Sequence, residues 1–106
     1  MRAAAEADIF RALADPTRRA VLERLARGEA TVSELKAGFA VSQPAISQHL
    51  AALRRAGLVA ERRAGRHAYY RAEPNGLAPL IDWIGRYQVF WQKRFARLKT
   101  VLKEID

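Results

Sequence analysis

Apolar residues recur every three or four positions through the first half of the chain, which is the spacing of amphipathic helices. The pattern predicts a first helix that ends at Leu13. It predicts a second helix from Pro16 to about Arg27, because Asp15 is a good N-cap and proline suits the first helical position. Gly28 then stops the helix.

Two further helices follow in quick succession. Thr31-Val32-Ser33-Glu34 has the spacing of a capping box, and the short helix that it opens ends near Gly38. After a tight turn, Ser42 caps a fourth helix that continues to Ala56 and is ended by Gly57. A short capped helix, a tight turn and a second capped helix form the layout of a helix-turn-helix.

The periodicity changes in the second half of the chain. Two short strands, Leu58–Arg63 and His67–Ala72, are predicted around the turn Ala64–Arg66, and a long helix runs from about Leu77 to Ile105. The expected fold is therefore mainly α with a small β component: four helices, two strands and a final helix. This is a winged helix-turn-helix in a single domain over residues 1–106, with residues 77–105 as a dimerisation helix.

The fourth helix has one apolar side and one side of short polar residues. At 100° per residue, Ile46, Leu50 and Leu53 share one face, whereas Gln48 points the opposite way. Glutamine pairs with adenine and serine bonds to bases or phosphates, so this helix is predicted to enter the major groove of DNA. The alternative is an ordinary amphipathic helix with a polar outside. The predicted DNA-facing residues are Ser42, Gln43, Pro44, Ser47, Gln48, His49, Arg54 and Arg55.

For three aromatic residues near the DNA-binding side, the sequence leaves two possibilities open. His49 lies at the flank of the apolar face, where it either contacts a phosphate or ties the helix to its neighbour by a hydrogen bond. In the second strand, alternation requires one of Tyr69 and Tyr70 to face inward, and the sequence leaves open which one.

Positive charge supports the DNA interpretation. The formal net charge is +8, which favours an anionic partner, with nucleic acid ahead of an acidic membrane surface. Six arginines lie between residues 54 and 71 against one acid, Glu61, and they would repel one another without a polyanion to bind. A solvated charged hairpin is the alternative. The predicted DNA contacts of this wing are Arg62, Arg63, Arg66 and His67.

The last helix carries more apolar surface than a lone small domain needs, which predicts packing against a second copy with help from the first helix. The alternative is a helix that folds back on its own domain, and the sequence leaves this open for the part near Trp83. A small apolar inducer bound between the aromatic side chains is a further hypothesis, although a plain interface core explains them as well. The predicted dimer contacts are Ile9, Leu80, Trp83, Ile84, Tyr87, Trp91, Phe95 and Leu98.

Several classes of function are disfavoured by what the sequence lacks. It contains no cysteine, so disulfides, thiolate metal sites and a cysteine nucleophile are excluded. No catalytic arrangement or glycine-rich phosphate loop is visible, so we expect no enzyme and no cofactor. There is no secretory signal and no apolar run of membrane-spanning length, so a cytoplasmic protein is expected.

Taken together, the motifs resemble those of the ArsR/SmtB family of bacterial repressors. The resemblance covers about residues 8–74 and implies a winged-helix homodimer that represses an operon until an inducer acts. A winged-helix module that binds proteins is the alternative. The motifs that carry the resemblance are Phe10–Leu22, Thr31–Leu35, Ser42–Leu50, Leu53–Val59 and Gly65–Arg71.

The sequence departs from the metal-sensing members of that family. Members with a site on the third helix carry cysteines where this chain has Thr31 and Ser33, and hydroxyls are poor ligands for soft ions. Members with a site on the last helix use histidines and carboxylates, whereas this chain has no histidine after residue 75. We therefore expect no metal site of the known family types.

Overall fold

The helices begin at the capping residues that the sequence predicts. The computed structural model describes the backbone of residues 2–105 and the side chains of residues 6–105, so Met1 and Asp106 of the predicted domain lie outside the described residues. The order of elements is that of a winged helix-turn-helix, as predicted. The elements are α1 (Arg2–Leu13), α2 (Pro16–Ala26), α3 (Val32–Ala37), α4 (Gln43–Arg55), β1 (Val59–Ala64), β2 (His67–Ala72), a 3-10 helix (Pro74–Leu77) and α5 (Ala78–Ile105).

Side-chain caps fix the starts of three of these helices. The backbone N–H of Arg18 donates to Asp15 Oδ1 over 3.0 Å at the start of α2, and this bond lowers the pKa of the Asp15 carboxyl. At α3 the capping box is complete, because Thr31 and Glu34 each accept a backbone N–H of the other. Ser42 caps α4 in the same way. The caps therefore fix where the helix-turn-helix begins along the chain.

The buried core is built by α1–α4 and the beginning of the hairpin, and α5 adds only the partly buried Leu80, which packs against it. The described side chains that are buried are all apolar, so this core has no buried polar group to satisfy. Each helix of α1–α4 contributes at least one buried side chain, and α4 contributes its predicted apolar positions Ile46, Leu50 and Leu53. The buried residues are Ile9, Ala12, Val21, Leu25, Ala30, Leu35, Ile46, Leu50, Leu53, Leu58 and Val59.

The hairpin is shifted by one residue from the prediction. The first strand begins at Val59, not Leu58, because Leu58 is used to close α4: its N–H donates to the carbonyl of Leu53 over 2.9 Å. Ala64 belongs to the strand and pairs with His67. The turn is therefore the two residues Gly65 and Arg66, and Gly65 adopts the positive φ of 62° that such a turn requires.

The second strand resolves which tyrosine faces inward. Tyr70 packs against the buried core and exchanges two backbone hydrogen bonds with Ala30, which attaches the hairpin to the segment before α3. Tyr69, on the opposite face of the strand, lies against Arg62. The wing is thus fastened to the body at its base, and its charged side faces outward.

The end of the fourth helix and the start of the fifth differ slightly from the prediction, whereas the start of the fourth and the end of the fifth agree with it. The fourth helix ends at Arg55, one residue earlier than expected, and Gly57 has a φ of 77°. The fifth begins at Ala78 because Pro74–Leu77 forms the 3-10 turn. Among residues 2–105, no helix is both long and apolar enough to cross a membrane.

Candidate nucleic-acid interface

The α4 helix is anchored on one side and open on the other. Ile46, Leu50 and Leu53 are at most 2% exposed, so they hold the helix firmly on α2 and α3. The opposite side is free of contacts that would cover it, as the sequence predicts. The predicted DNA-facing residues that are exposed are Ser42, Gln43, Pro44, Ser47, Gln48, Arg54 and Arg55.

These exposed side chains suit the floor of a major groove. Ser47 and Gln48 are short, polar and unhindered, and a glutamine amide donates to and accepts from the edge of adenine at the same time. Bulky apolar residues at these positions would keep the helix out of the groove. The helix therefore offers base-reading groups on a rigid backbone.

The eighth predicted residue of this set, His49, is half-buried and is tied to α2. The Nε of Arg18 donates to its Nδ1 over 3.4 Å. Arg18 also donates through Nη1 to the carbonyl of Arg11, again over 3.4 Å. His49 thus makes the inter-helix hydrogen bond that was one of its two interpretations.

The arginines of the wing have more acidic side chains beside them than the sequence indicates. The expectation that its arginines lack acidic partners is wrong, because Glu29, from the turn before α3, binds Arg62 through both carboxylate oxygens, at 2.6 and 3.1 Å. Glu61 pairs with Arg54 and Arg63 at 2.6 and 3.1 Å. The mutual repulsion of the arginines is therefore smaller than their number indicates, and it carries less weight as an argument for DNA binding.

Arg62 is held from two sides. Its guanidinium lies 4.7 Å from the centroid of the Tyr69 ring while Glu29 binds its edge. The bond lowers the pKa of Glu29 and raises that of Arg62 further above its ordinary value, so both groups are charged at neutral pH. This cluster fixes the angle of the hairpin on the body.

The tip of the wing has a different electrostatic character. Arg66 is exposed, and within the described part of the chain no acidic group pairs with it. His67 beside it is also exposed and stacks edge-on against Tyr69, with the ring centroids 6.2 Å apart. Of the predicted wing residues, Arg66 is therefore the one whose charge is most available to a phosphate.

The α5 helix touches the body only near its beginning. Trp83 meets Phe10 of α1 edge-on at 5.3 Å, and Arg86 binds Glu6 over 2.8 Å. Beyond this point α5 has an uncovered apolar stripe, formed by Tyr87, Trp91, Phe95 and Leu98. Of these, Trp91, Phe95 and Leu98 are each at least half exposed. The fold-back that the sequence left open is thus limited to the region near Trp83.

One predicted dimer contact is wrong. Ile9 is 1% exposed and belongs to the core of its own protomer, so its side chain is unavailable to a partner. The next residue, Phe10, is 42% exposed and is the apolar side chain that α1 presents beside Trp83. The helical spacing of α1 placed Ile9 on an apolar face but did not say whether that face met the core or a partner.

Two features of the site escaped the sequence analysis. Glu29 was not connected to the wing, because 33 residues separate it from Arg62. The bond between Arg18 and His49 spans 31 residues. Neither pair has a short-range sequence signal. Among the described residues there is also no cluster of three histidine, cysteine, aspartate or glutamate side chains suited to hold a metal ion.

Similar proteins share both the sequence and the fold of this site. Residues 15–61 match the family model described as bacterial regulatory protein, arsR family. The chain is 48% identical over 84 residues to the HTH-type transcriptional regulator Rv2034 of Mycobacterium tuberculosis, across 79% of this chain and 76% of that protein. It is 35% identical over 77 residues to the transcriptional repressor SdpR of Bacillus subtilis, across 73% of this chain and 86% of that one.

A solved structure agrees with these sequence matches. The ArsR-like transcriptional regulator from Rhodococcus sp. RHA1 superposes with a TM-score of 0.75 at 36% identity, over 92% of each chain. The region that matches the family model, residues 15–61, contains α2–α4 and therefore the α4 part of the candidate interface, whereas the predicted wing contacts begin at Arg62. The chain therefore belongs to the ArsR family of bacterial regulatory proteins and is a DNA-binding regulator of transcription, not an enzyme.

Proposed function

We propose that this protein is a homodimeric repressor that binds a palindromic operator. In this proposal α4 of each protomer reads bases in the major groove through Ser47 and Gln48, with Ser42 and Gln43 at its start. The observation that carries the proposal is the polar, uncovered face of α4, which stands opposite side chains that are at most 2% exposed. A firmly packed helix with a free polar face fits the major groove and presents its side chains to base edges.

The remaining predicted contacts are assigned to the DNA backbone. Pro44 opens α4 without an N–H of its own, and Arg54 and Arg55 extend from its last turn. On the wing, Arg66 with His67 is the principal phosphate contact. Arg62 and Arg63 add less, because each shares its charge with a glutamate.

A second copy of this chain is the proposed occupant of the exposed face of α5. The helix has 28 residues, which is about 42 Å of length, and its apolar stripe continues past the last contact with the body. Uncovered apolar surface of this size marks an interface. The proposed contacts on this face are Leu80, Trp83, Ile84, Tyr87, Trp91, Phe95 and Leu98. Two-fold symmetry then places the two α4 helices about 34 Å apart, one turn of DNA.

The proposed repressor acts in the cytoplasm, where its DNA lies, and does not respond to metals through the known family sites. Thr31 and Ser33 supply hydroxyls where thiolates are needed, and α5 offers no histidine. Adding zinc or arsenite to the operator complex is expected to leave its affinity unchanged. A loss of affinity at equimolar metal, reversed by a chelator, contradicts this part of the proposal.

The central experiment is footprinting of the purified protein on DNA around its own gene, followed by titration of the protected site. We expect binding in the range of about 10⁻⁸–10⁻¹¹ M to an imperfect palindrome, at least about 10³-fold tighter than to random DNA. The variant Gln48→Ala is expected to lower discrimination against a changed base pair by about 1–3 kcal/mol. The matched control is Gln92→Ala, an exposed glutamine on α5.

Two results decide against the proposal. No preference for the promoter region over random DNA at any salt concentration removes the specific-repressor role. Capture of a protein partner by a chain that has no DNA affinity at low salt favours a protein-interaction module instead. Equal discrimination by Gln48→Ala and Gln92→Ala rejects Gln48 as a base-reading residue.

A further inference from the structure

A cleft of about 550 Å³ lies between α1, α2 and α4, beside the DNA-facing side of α4. Three guanidinium groups line it, one from each helix: Arg11, Arg18 and Arg55. The one acid in its lining is Asp8, on α1. Three positive charges against one negative charge give the cleft a net attraction for anions.

The positive charge of the cleft is poorly compensated within the protomer. Arg11 lies 3.8 Å from Asp8, but the two side chains are 81% and 54% exposed, and ion pairs of this kind contribute little. Arg55 has no acidic partner in the described part of the chain. The side chain of Arg18 donates to a histidine nitrogen and to a backbone carbonyl, which leaves its other N–H groups available.

Small side chains give the cleft its room. Ala12, Ala52 and Ala56 form the apolar part of its lining, and Ala12 is only 3% exposed. A larger residue at any of these positions would fill the space between α1 and α4. The volume lies within the range of sites that hold small organic ligands, which combine apolar walls with a few oriented polar groups.

The cleft is connected to the DNA-reading helix through one side chain. Arg18 lines the cleft and also donates to His49 on α4. A phosphate or carboxylate that binds Arg18 side-on, through Nε and Nη2, competes with His49 for the Nε–H. Occupancy of the cleft in this side-on mode therefore changes how α4 is held on α2.

We propose that this cleft binds an oxyanion group, a phosphate or a carboxylate, and transmits its occupancy to α4 through Arg18 and His49. The group belongs either to the DNA backbone next to the operator half-site or to a small free acid. The effect on α4 rests on the proposed function, whereas binding in the cleft does not. The experiment therefore measures anion binding and DNA binding separately.

The first measurement titrates pyrophosphate and benzoate into the free, full-length protein by calorimetry. The variant is Arg11→Gln, which removes a cleft guanidinium whose ion pair is with Asp8 on its own helix. Its control is Arg27→Gln, an exposed arginine outside the cleft that changes the net charge equally. We expect Arg11→Gln to weaken binding of the tighter anion by about tenfold or more, and the control to leave it unchanged.

The second measurement determines how the affinity for duplex DNA depends on salt. If the DNA backbone supplies the oxyanion, Arg11→Gln lowers the log–log slope by about 0.9 relative to Arg27→Gln, and pyrophosphate competes with DNA at constant ionic strength. If a free acid supplies it, the slopes agree and only the calorimetric difference remains. Identical behaviour of the two variants in both measurements overturns the proposal. If the wild-type protein binds the anion but no DNA, the repressor role is refuted, and the proposal that the cleft binds an oxyanion stands.

Discussion

At the scale of single residues, the interface is shaped by which charges are already paired. Arg62 and Arg66 lie four residues apart in the same hairpin, yet Glu29 binds the first through two oxygens and nothing among the described side chains pairs with the second. When a guanidinium must break an ion pair with a carboxylate in order to bind a phosphate, the net free energy of the phosphate contact is smaller. Their contributions to DNA binding should therefore differ.

We expect Arg66→Gln to weaken binding to operator and random DNA alike and to reduce the salt slope by about 0.9, because it removes one phosphate contact. Arg62→Gln is expected to reduce the salt slope less, because the charge of Arg62 is already paired with Glu29. The measurement is fluorescence anisotropy over a series of salt concentrations. Equal reductions by the two variants would show that Arg62 leaves Glu29 in the complex.

Asp15 gives a second prediction at this scale, which concerns pH. Its pKa is lowered in the folded chain, first by the backbone N–H of Arg18, from an unfolded value of about 3.9. A depressed pKa stabilises the fold above the unfolded pKa, and the contribution is lost as pH falls through the folded value. Asp15→Asn keeps a capping oxygen but does not titrate.

The free energy of unfolding, measured with urea between about pH 2 and 6, should therefore fall less steeply with acid in Asp15→Asn than in the wild type. Asp8→Asn is the control, because Asp8 is an exposed aspartate of α1 for which no cap is observed. If the free energy of unfolding falls with acid in the same way for Asp15→Asn and the wild type, the assigned cap is contradicted.

At the scale of elements, the segment between the wing and α5 packs closely against the end of α4, and Gly76 is the glycine with the least room for a side chain. A Cβ at Gly76 would lie 1.9 Å from the carbonyl oxygen of Gly57, which no side chain tolerates. Gly57 follows α4 and Gly76 lies in the 3-10 turn before α5, so this contact joins the end of α4 to the start of α5.

Gly76→Ala is therefore expected to destabilise the fold by about 1–3 kcal/mol, because the backbone of one segment must move. Gly85→Ala is the control, since a Cβ there meets nothing within 4 Å and alanine stabilises a helix interior by about 0.5–1 kcal/mol. Urea denaturation of both variants measures the difference. Equal stabilities would mean that the joint opens without penalty.

The same scale shows how much of the fold and site the sequence predicts. Caps such as Asp15, Thr31 and Ser42 are local signals, and the helix starts follow from them within a residue. The apolar face of α4 was equally predictable from its period. Pairings over long separations, such as Glu29 with Arg62, were not, because they depend on how the elements pack. Ile9 was misassigned for the same reason: periodicity identifies an apolar face without its partner.

At the scale of the whole molecule, most of α5 extends away from the core. The protomer measures 65 × 32 × 20 Å, an elongated shape for 106 residues, and α5 contributes no side chain to the buried core. Along its outer half the aromatic and aliphatic stripe is exposed. A groove of about 330 Å³ between Trp83, Tyr87, Trp91 and Phe95 belongs to the same stripe. In the proposed repressor, an intersubunit core and an apolar inducer site are alternative uses of this surface.

The proposed dimer is tested by replacing an apolar residue of the α5 stripe with a charged one. Leu98→Glu is expected to convert the dimer to a folded monomer, because Leu98 is 50% exposed in the protomer and lies outside the core. Lys93→Gln is the matched control: both substitutions lower the formal net charge from +8 to +7, but only one lies in the stripe. Sedimentation velocity reports the mass, and circular dichroism reports whether the protomer remains folded.

The consequence for DNA binding follows from multivalency. A dimer that engages two half-sites gains about 10²–10⁴-fold over a single half-site, because the second contact is intramolecular. Leu98→Glu should lose that factor on a full palindrome and lose nothing on an isolated half-site, where the wild type also binds through one α4. A monomeric Leu98→Glu that keeps wild-type affinity for the full palindrome would separate dimerisation from recognition, and α5 would then serve another partner. Because both variants carry the same net charge, a difference between them on the palindrome reflects the stripe and not the general attraction to DNA.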